Sequence, residues 1–242
     1  MIKEKIESKF PKAVRYYFDI KFLTSQPIHK WTKIFHLIRK SKSQLRQDLF
    51  ALCELGFKEG GYFVEFGATN GIDLSNTHLL EHQFAWFGLL AEPAKIWHND
   101  LHVNRPSSVI EELCVWINSD SFLEFYETNE PELSTIKSYG LTTSDQTKFL
   151  KNRSYRVETI SLIDMLRKHK APKYIDYLSI DTEGSEFDIL NSFNFSEYSF
   201  GVITCEHNYG PNRKAIYDLL TQNGYSRRYE NISRFDDWYI KD

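Results

Sequence analysis

From Gly60 to the end of the chain, short apolar runs alternate with amphipathic stretches, and this rhythm constrains the fold more than any other feature of the sequence. Apolar runs of roughly 4–8 residues suit strands buried on both faces, and the amphipathic segments between them suit helices that cover such a sheet. Strands are predicted at 62–66, 87–91, 109–115, 175–180 and 200–205, with helices near 75–82, 94–102, 161–170, 186–192 and 212–223. Two further runs, 225–229 and 238–241, flank Asn231-Ile232-Ser233 and read as an antiparallel pair closing one edge of a mixed sheet. The stretch 118–156 breaks the rhythm as an insertion. A chain of 242 residues, 41% of them hydrophobic, can bury a sizeable core, so these elements are expected to form a single α/β domain.

Ahead of that domain lies a segment of different character. Residues 1–46 hold 12 Lys or Arg against only Glu4, Glu7 and Asp19, an excess of +9, while the other 196 residues balance at -12. Residues 1–42 therefore read as a basic helical extension and 43–242 as the domain. Pro11 can open a helix, and Trp31, Ile34, Phe35 and Ile38 fall at i, i+3, i+4 and i+7, which makes one apolar stripe ringed by Lys30, Lys33, Arg39, Lys40 and Lys42. Such a stripe can dock on the body, pack subunits into a homo-oligomer, or rest on anionic lipid as a peripheral contact, and packing is the expected role. No run approaches the ~20 apolar residues of a membrane span, and the charged opening from Lys3 to Lys9 does not lead into a secretory core. Cys53, Cys114 and Cys205 are odd in number and far apart, which suits neither a disulfide framework nor paired zinc ligands, so a cytoplasmic location is expected. The acidic body offers no broad basic face for nucleic acid.

The most informative window is Gly60-Gly61-Tyr62-Phe63-Val64-Glu65-Phe66-Gly67-Ala68-Thr69-Asn70-Gly71, an apolar strand that ends in an acid and runs into a small-residue loop. Glycine there permits positive φ and close approach to a ligand. About twenty residues on, a second strand ends in Glu92-Pro93, an acid placed to accept hydrogen bonds from ribose hydroxyls. Ligands of open α/β sheets bind at the carboxyl ends of the strands, where both acids and the loop must meet. The loop lacks the three glycines of GxGxxG, which counts against a dinucleotide oxidoreductase. It suits a ligand with an adenosine, a cationic sulfonium and no phosphate, although another nucleotide enzyme or a merely tight turn also fits the window.

Four ordered motifs then resemble the FkbM family of S-adenosylmethionine-dependent methyltransferases: Glu65-Phe66-Gly67-Ala68-Thr69-Asn70-Gly71, Ser75-Asn76-Thr77, Trp86 through Pro93, and Leu178-Ser179-Ile180-Asp181-Thr182-Glu183-Gly184-Ser185-Glu186. The likeness begins near Ser43-Gln44, takes in Cys205-Glu206-His207, and leaves the basic extension outside. It implies a Rossmann-like seven-stranded methyltransferase sheet with helices on both faces, S-adenosylmethionine as donor and S-adenosylhomocysteine as product. Carried over residue by residue, it implies cofactor contacts from Glu65, Gly67, Ala68, Asn70, Gly71, Glu92, Pro93 and Asp181. Glu65 and Thr69 depart from the family, many of whose members carry Asp and a second small or polar residue there.

Family members mostly methylate hydroxyls of sugars or polyketide-like metabolites, and removal of a hydroxyl proton requires a base beside the methyl group. By position the candidates are Asp181 and Glu183 after the fourth strand and Glu206 and His207 after the fifth, and His207 has the pKa best placed for a base near neutral pH. Asp181, Glu206 and His207 could instead hold a divalent cation, but adjacent strand residues diverge, so no metal is expected. Tyr139, Asn208, Tyr209, Asp237 and Trp238 combine aromatic faces with polar edges and are candidates for a saccharide pocket. No Asn/Asp-Pro-Pro-Tyr sequence follows the fourth strand, which argues against methylation of base amino groups. The expected activity is O-methylation of a sugar, glycan or glycosylated metabolite. The alternatives are a non-catalytic adenosyl-binding or assembly subunit and a nucleotide-dependent oxidoreductase.

Overall fold

The computed structural model describes residues 11–128, 134–136 and 153–242, with side chains from Arg15 onward. Seven strands form the main sheet: β1 (Tyr62–Phe66), β2 (Phe87–Ala91), β3 (Val109–Glu111), β8 (Tyr174–Ile180), β9 (Ser199–Glu206), β10 (Tyr225–Arg228) and β11 (Asp236–Lys241). Their spatial order is β10-β11-β9-β8-β1-β2-β3. The five strands from β3 to β9 are parallel, and β11 runs antiparallel between β9 and β10. The last two strands thus pair antiparallel as expected, but the final strand lies inside the sheet and β10 forms the edge. Trp238 and Tyr239 on β11 are fully buried, which is what holds that strand in an interior position.

The predicted strand 109–115 is two strands. After Glu111 the chain leaves the main sheet, and β4 (Cys114–Trp116) pairs with β7 (Arg153–Ser161). β7 also pairs with β5 (Phe122–Glu127), which carries β6 (Thr135–Ile136), so the insertion and its flanks build a second sheet of order β4-β7-β5-β6. The break falls at Glu111, a buried carboxylate that receives Lys168 Nζ at 2.7 Å and His169 Nε2 at 2.8 Å.

Among the described residues the helices are α1 (Pro11–Ser25), α2 (Trp31–Leu37), α3 (Gln47–Glu54), α4 (His78–Phe84), α5 (Lys95–Asn104), α6 (Leu162–Lys168), α7 (Glu186–Asn191), α8 (Arg213–Gln222) and α9 (Glu230–Ser233). The sequence places α4 three residues early. Its expected first turn, Ser75-Asn76-Thr77, is instead drawn out by the carboxylate of Glu65, which accepts Asn76 N at 2.6 Å and the hydroxyls of Ser75 and Thr77. None of these helices is long and apolar enough to cross a membrane.

Two large cores lie on the faces of the main sheet. The basic extension contributes to one of them. Phe22 of α1, Ile34 of α2 and Ile38 are buried with Phe50 and Trp238, while Phe35 of the same predicted stripe is 67% exposed. The stripe is therefore mostly used within its own chain.

Candidate active site

The carboxyl ends of β1, β2, β8 and β9 open into a cavity of about 300 Å³. Gly67 stands at its floor with φ +70°, and a Cβ there would lie 2.0 Å from the carbonyl oxygen of Asp181. No side chain fits between the ends of β1 and β8, which explains the glycine by close backbone approach. The next turn delivers Thr69 N to Glu92 Oε2 at 2.8 Å, and Ala94 N binds Glu92 Oε1 at 2.8 Å. Glu92 is thereby aimed at the cavity by two amides, and each oxygen retains a lone pair for a ribose hydroxyl. Burial pushes its carboxyl up to about 7, against the pull of those amides. Pro93 and Glu65 also line the cavity, but Glu65 spends its oxygens on the 75–77 loop and approaches Arg105 Nη1 at 3.9 Å.

Three residues expected at the cofactor do not face it. Ala68 is packed into the core. Asn70 folds the loop on itself, accepting Ile72 N and Asp73 N at 2.9 Å and donating to Asp73 Oδ2 at 2.8 Å. Gly71, at φ +79°, gives way to another neighbour: a Cβ would meet Arg105 Cγ at 2.6 Å and Leu101 Cδ1 at 2.7 Å. Arg105 itself, fully buried, donates to Gly71 O, Thr77 Oγ1, Ser75 Oγ and Glu81 Oε2 and so ties α5 to the cofactor loop. Its importance is invisible in sequence because its partners lie 24–34 positions away.

On the far side of the cavity the carboxylates of Asp181, Glu183 and Glu206 converge, with one oxygen of each within 4.8 Å of the others. Glu186 belongs to the scaffold: its Oε1 accepts Thr182 N, Thr182 Oγ1 and Gly184 N at 3.0 Å, folding the loop that presents Asp181 and Glu183. Glu183 takes φ 57°, and its carbonyl accepts Thr135 Oγ1 at 3.2 Å from the second sheet. Burial and mutual repulsion hold all three carboxyls above their ordinary range, Glu206 most strongly, and a hydrogen bond joins Glu206 to Asp181. Three carboxyls this close in a buried site favour a shared proton over three full charges. The same three oxygen donors have the hard character and closeness that a divalent cation takes.

His207 lies outside this group. Its Nδ1 accepts Tyr209 N at 2.9 Å, which leaves the proton on Nε2, and Nε2 stands 3.7 Å from Asp237 Oδ1 in a side chain 1% exposed. Burial pulls the imidazole below its ordinary pKa, and its basic nitrogen is already occupied. Asp237 is held behind it by Arg213 Nη2 at 2.8 Å and Arg227 Nη1 at 3.1 Å. Trp238, expected at the acceptor, is stacked on Phe50 with ring centroids 4.8 Å apart, and Tyr209 points outward at 66% exposure. Asn208 does line the cavity; Tyr139 falls outside the described residues. The sequence missed Phe125, Thr135 and Ile136 of the second sheet, the adjoining Ser134, and Gln44 and Leu74, all cavity walls. A two-residue strand inside an irregular insertion leaves no periodic signal.

A mixed sheet of this order, with a glycine turn after its first strand and helices packed on it, is the Rossmann-like architecture of α/β methyltransferases. The model of the FkbM methyltransferase domain matches residues 65–227, and the chain belongs to that family, whose members use S-adenosylmethionine. Among solved structures, the chain is similar to a methyltransferase FkbM from Methylobacillus flagellatus KT at 12% identity and TM-score 0.49, over 97% of this chain and 60% of that one. It is also similar to a precorrin-6y C5,15-methyltransferase from Geobacter metallireducens GS-15, at 9% identity and TM-score 0.41, over 75% of this chain and 71% of that one. The chain thus spans under two thirds of the length of the FkbM structure it matches. No curated protein matches it.

Proposed function

We propose that the protein transfers a methyl group to a hydroxyl of a sugar, glycan or glycosylated metabolite, and that Asp181 removes the hydroxyl proton. The observation that carries this is the meeting of Asp181, Glu183 and Glu206 in the cavity that also holds Glu92. S-adenosylmethionine supplies an electrophilic methyl on a sulfonium. Glu92 accepts from the ribose hydroxyls, and Gly67 and Pro93 shape the floor beneath the nucleoside. Asp181, which lines the cavity, accepts the proton of the acceptor hydroxyl as its oxygen takes the methyl carbon and the carbon–sulfur bond breaks, leaving S-adenosylhomocysteine. Asn208, Ser134 and Thr135 offer polar edges beside the apolar faces of Phe235 and Ile136, a mixture that suits a saccharide ring.

Replacing Asp181 with Asn should slow turnover by about 100- to 10,000-fold, the range for a positioned base, while His207→Gln should retain most of it. Full activity in Asp181→Asn would move the base to Glu183. Activity abolished by EDTA and restored by Mg or Mn would give the carboxylate trio to a cation instead. A difference of one methyl group in glycans from cells with and without the protein would identify the acceptor. S-adenosylhomocysteine binding without turnover on any hydroxyl compound would favour a non-catalytic adenosyl-binding subunit.

A further inference from the structure

The basic extension, together with Arg46 and the loop at Asp73 and Leu74, lines a cleft beside the active cavity. Its walls carry Arg15, Arg39, Lys42 and Arg46 against two acids, Asp19 and Asp73. Asp19 Oδ1 binds Arg46 at 2.7 Å within the cleft, and Asp73 Oδ2 accepts Asn70 Nδ2 at 2.8 Å. Arg39 and Lys42 are exposed and have no hydrogen-bond or ion-pair partner among the described residues, and Arg15 reaches only Ser41 O, at 3.3 Å. Four cations thus face two carboxylates, and the cleft is net positive. Of the four, Arg46 is buried and held by Asp19, Ser41 and Ser43.

This cleft adjoins the cavity that holds Glu92 and Asp181, since Leu74 and Asp73 line both. Leu74 is an unusual threshold: a leucine at φ 60°, 48% exposed, and pinned by a bridge to Ser43. A left-handed, half-exposed leucine is strained and unburied, a combination that persists at ligand sites. Guanidinium forks match phosphate geometry, and several cations together suit a group of more than one negative charge better than a single carboxylate.

We infer that the acceptor is a phosphate-bearing sugar or nucleotide sugar, its phosphate seated between Arg15, Arg39 and Lys42 and its hydroxyl directed past Leu74 to the carboxylates. This rests on the O-methyltransferase function proposed above and narrows its substrate class. The extension outside the family motifs then supplies acceptor recognition. A membrane surface would attract the same cations, but these line a concave site beside the reaction cavity rather than a convex face.

The test titrates the full-length protein with inorganic pyrophosphate in a calorimeter, with and without saturating S-adenosylhomocysteine. Pyrophosphate should bind saturably and equally well in both cases, more weakly as salt rises, and about tenfold or more weakly in the double variant Arg39→Gln/Lys42→Gln, whose affinity for S-adenosylhomocysteine should be unchanged. Both side chains are exposed and partner-free, so loss of fold is not at issue, and a circular-dichroism melt checks it. Equal pyrophosphate affinity in the two proteins, displacement of pyrophosphate by S-adenosylhomocysteine, or no saturable binding would overturn the inference. So would sedimentation with phosphatidylglycerol-containing vesicles in the absence of pyrophosphate binding, which would give the cations to a membrane. Failure of S-adenosylhomocysteine itself to bind is a separate result that removes the underlying function.

Discussion

Glu92 is the residue on which the proposed cofactor recognition turns. Replacing it with Ala should weaken S-adenosylhomocysteine binding by about 1.5–3 kcal/mol, the worth of a hydrogen bond to a charged group, and isothermal calorimetry reads this directly. Because burial lifts its carboxyl to about 7, the site also has a pH signature. Ribose hydroxyls bind better to the ionised form, so affinity should fall as pH is lowered through 7 and level off above it, and Glu92→Gln should flatten the profile. At Gly67 an added methyl meets both a left-handed backbone and the Asp181 carbonyl 2.0 Å away. Gly67→Ala should therefore lower both stability and cofactor affinity, because the ends of β1 and β8 must move apart to admit it. Gly71→Ala should lower stability through Arg105 instead, since that position does not line the cavity.

At the scale of elements, the junctions between helices and sheet carry buried charge. Arg105 joins α5 to the loop before α4, and Arg105→Met would leave the carboxylates of Glu81 and Glu65 without their cation. Removal of one partner from a buried pair costs about 3–5 kcal/mol, which a shift of the urea midpoint at constant slope would register. Asp236, at the start of β11, accepts Gln47 Nε2 of α3 at 2.8 Å. Burial and the nearby Asp181 push it up to about 8, well above a carboxyl in an unfolded chain at about 4. The folded state then holds a proton that the unfolded state releases, so this contribution is complete below pH 4 and is lost as pH rises toward 8. Asp236→Asn should make stability less dependent on pH across that window, measured by thermal melts between pH 4 and 8.

For the whole molecule, the main sheet with its two cores explains why the extension cannot be removed freely. Phe22 lies 6.3 Å from the Trp238 ring and is 2% exposed, so the extension completes the packing over β11. Phe22→Ala should cost about 3–5 kcal/mol, a fall in Tm on the order of 10 °C for a chain of this size. Cofactor affinity should survive at temperatures below the transition, because Gly67, Glu92 and Asp181 line the cavity and Phe22 does not. A loss of affinity in parallel with Tm would tie the extension to the cofactor site itself.

The sheet, its cofactor edge and the glycine turn were legible in the sequence because each depends on local order: apolar runs make strands, and the residue that follows a strand must stand at its end. Tertiary structure decided which side chains at that edge face the ligand. Asn70 and Gly71 belong to the same motif as Gly67, yet one is consumed by its own turn and the other by Arg105, a contact 34 residues away. His207 and Glu206 are neighbours on the chain, and strand alternation turns one toward Asp237 and the other toward Asp181. Trp238 looked like a saccharide platform until β11 was placed inside the sheet and not at its edge, where packing on Phe50 claimed it. The second sheet, the buried Arg105 and the basic cleft all arise from pairings between distant segments, which periodicity along the chain cannot encode because they depend on which surfaces meet in space.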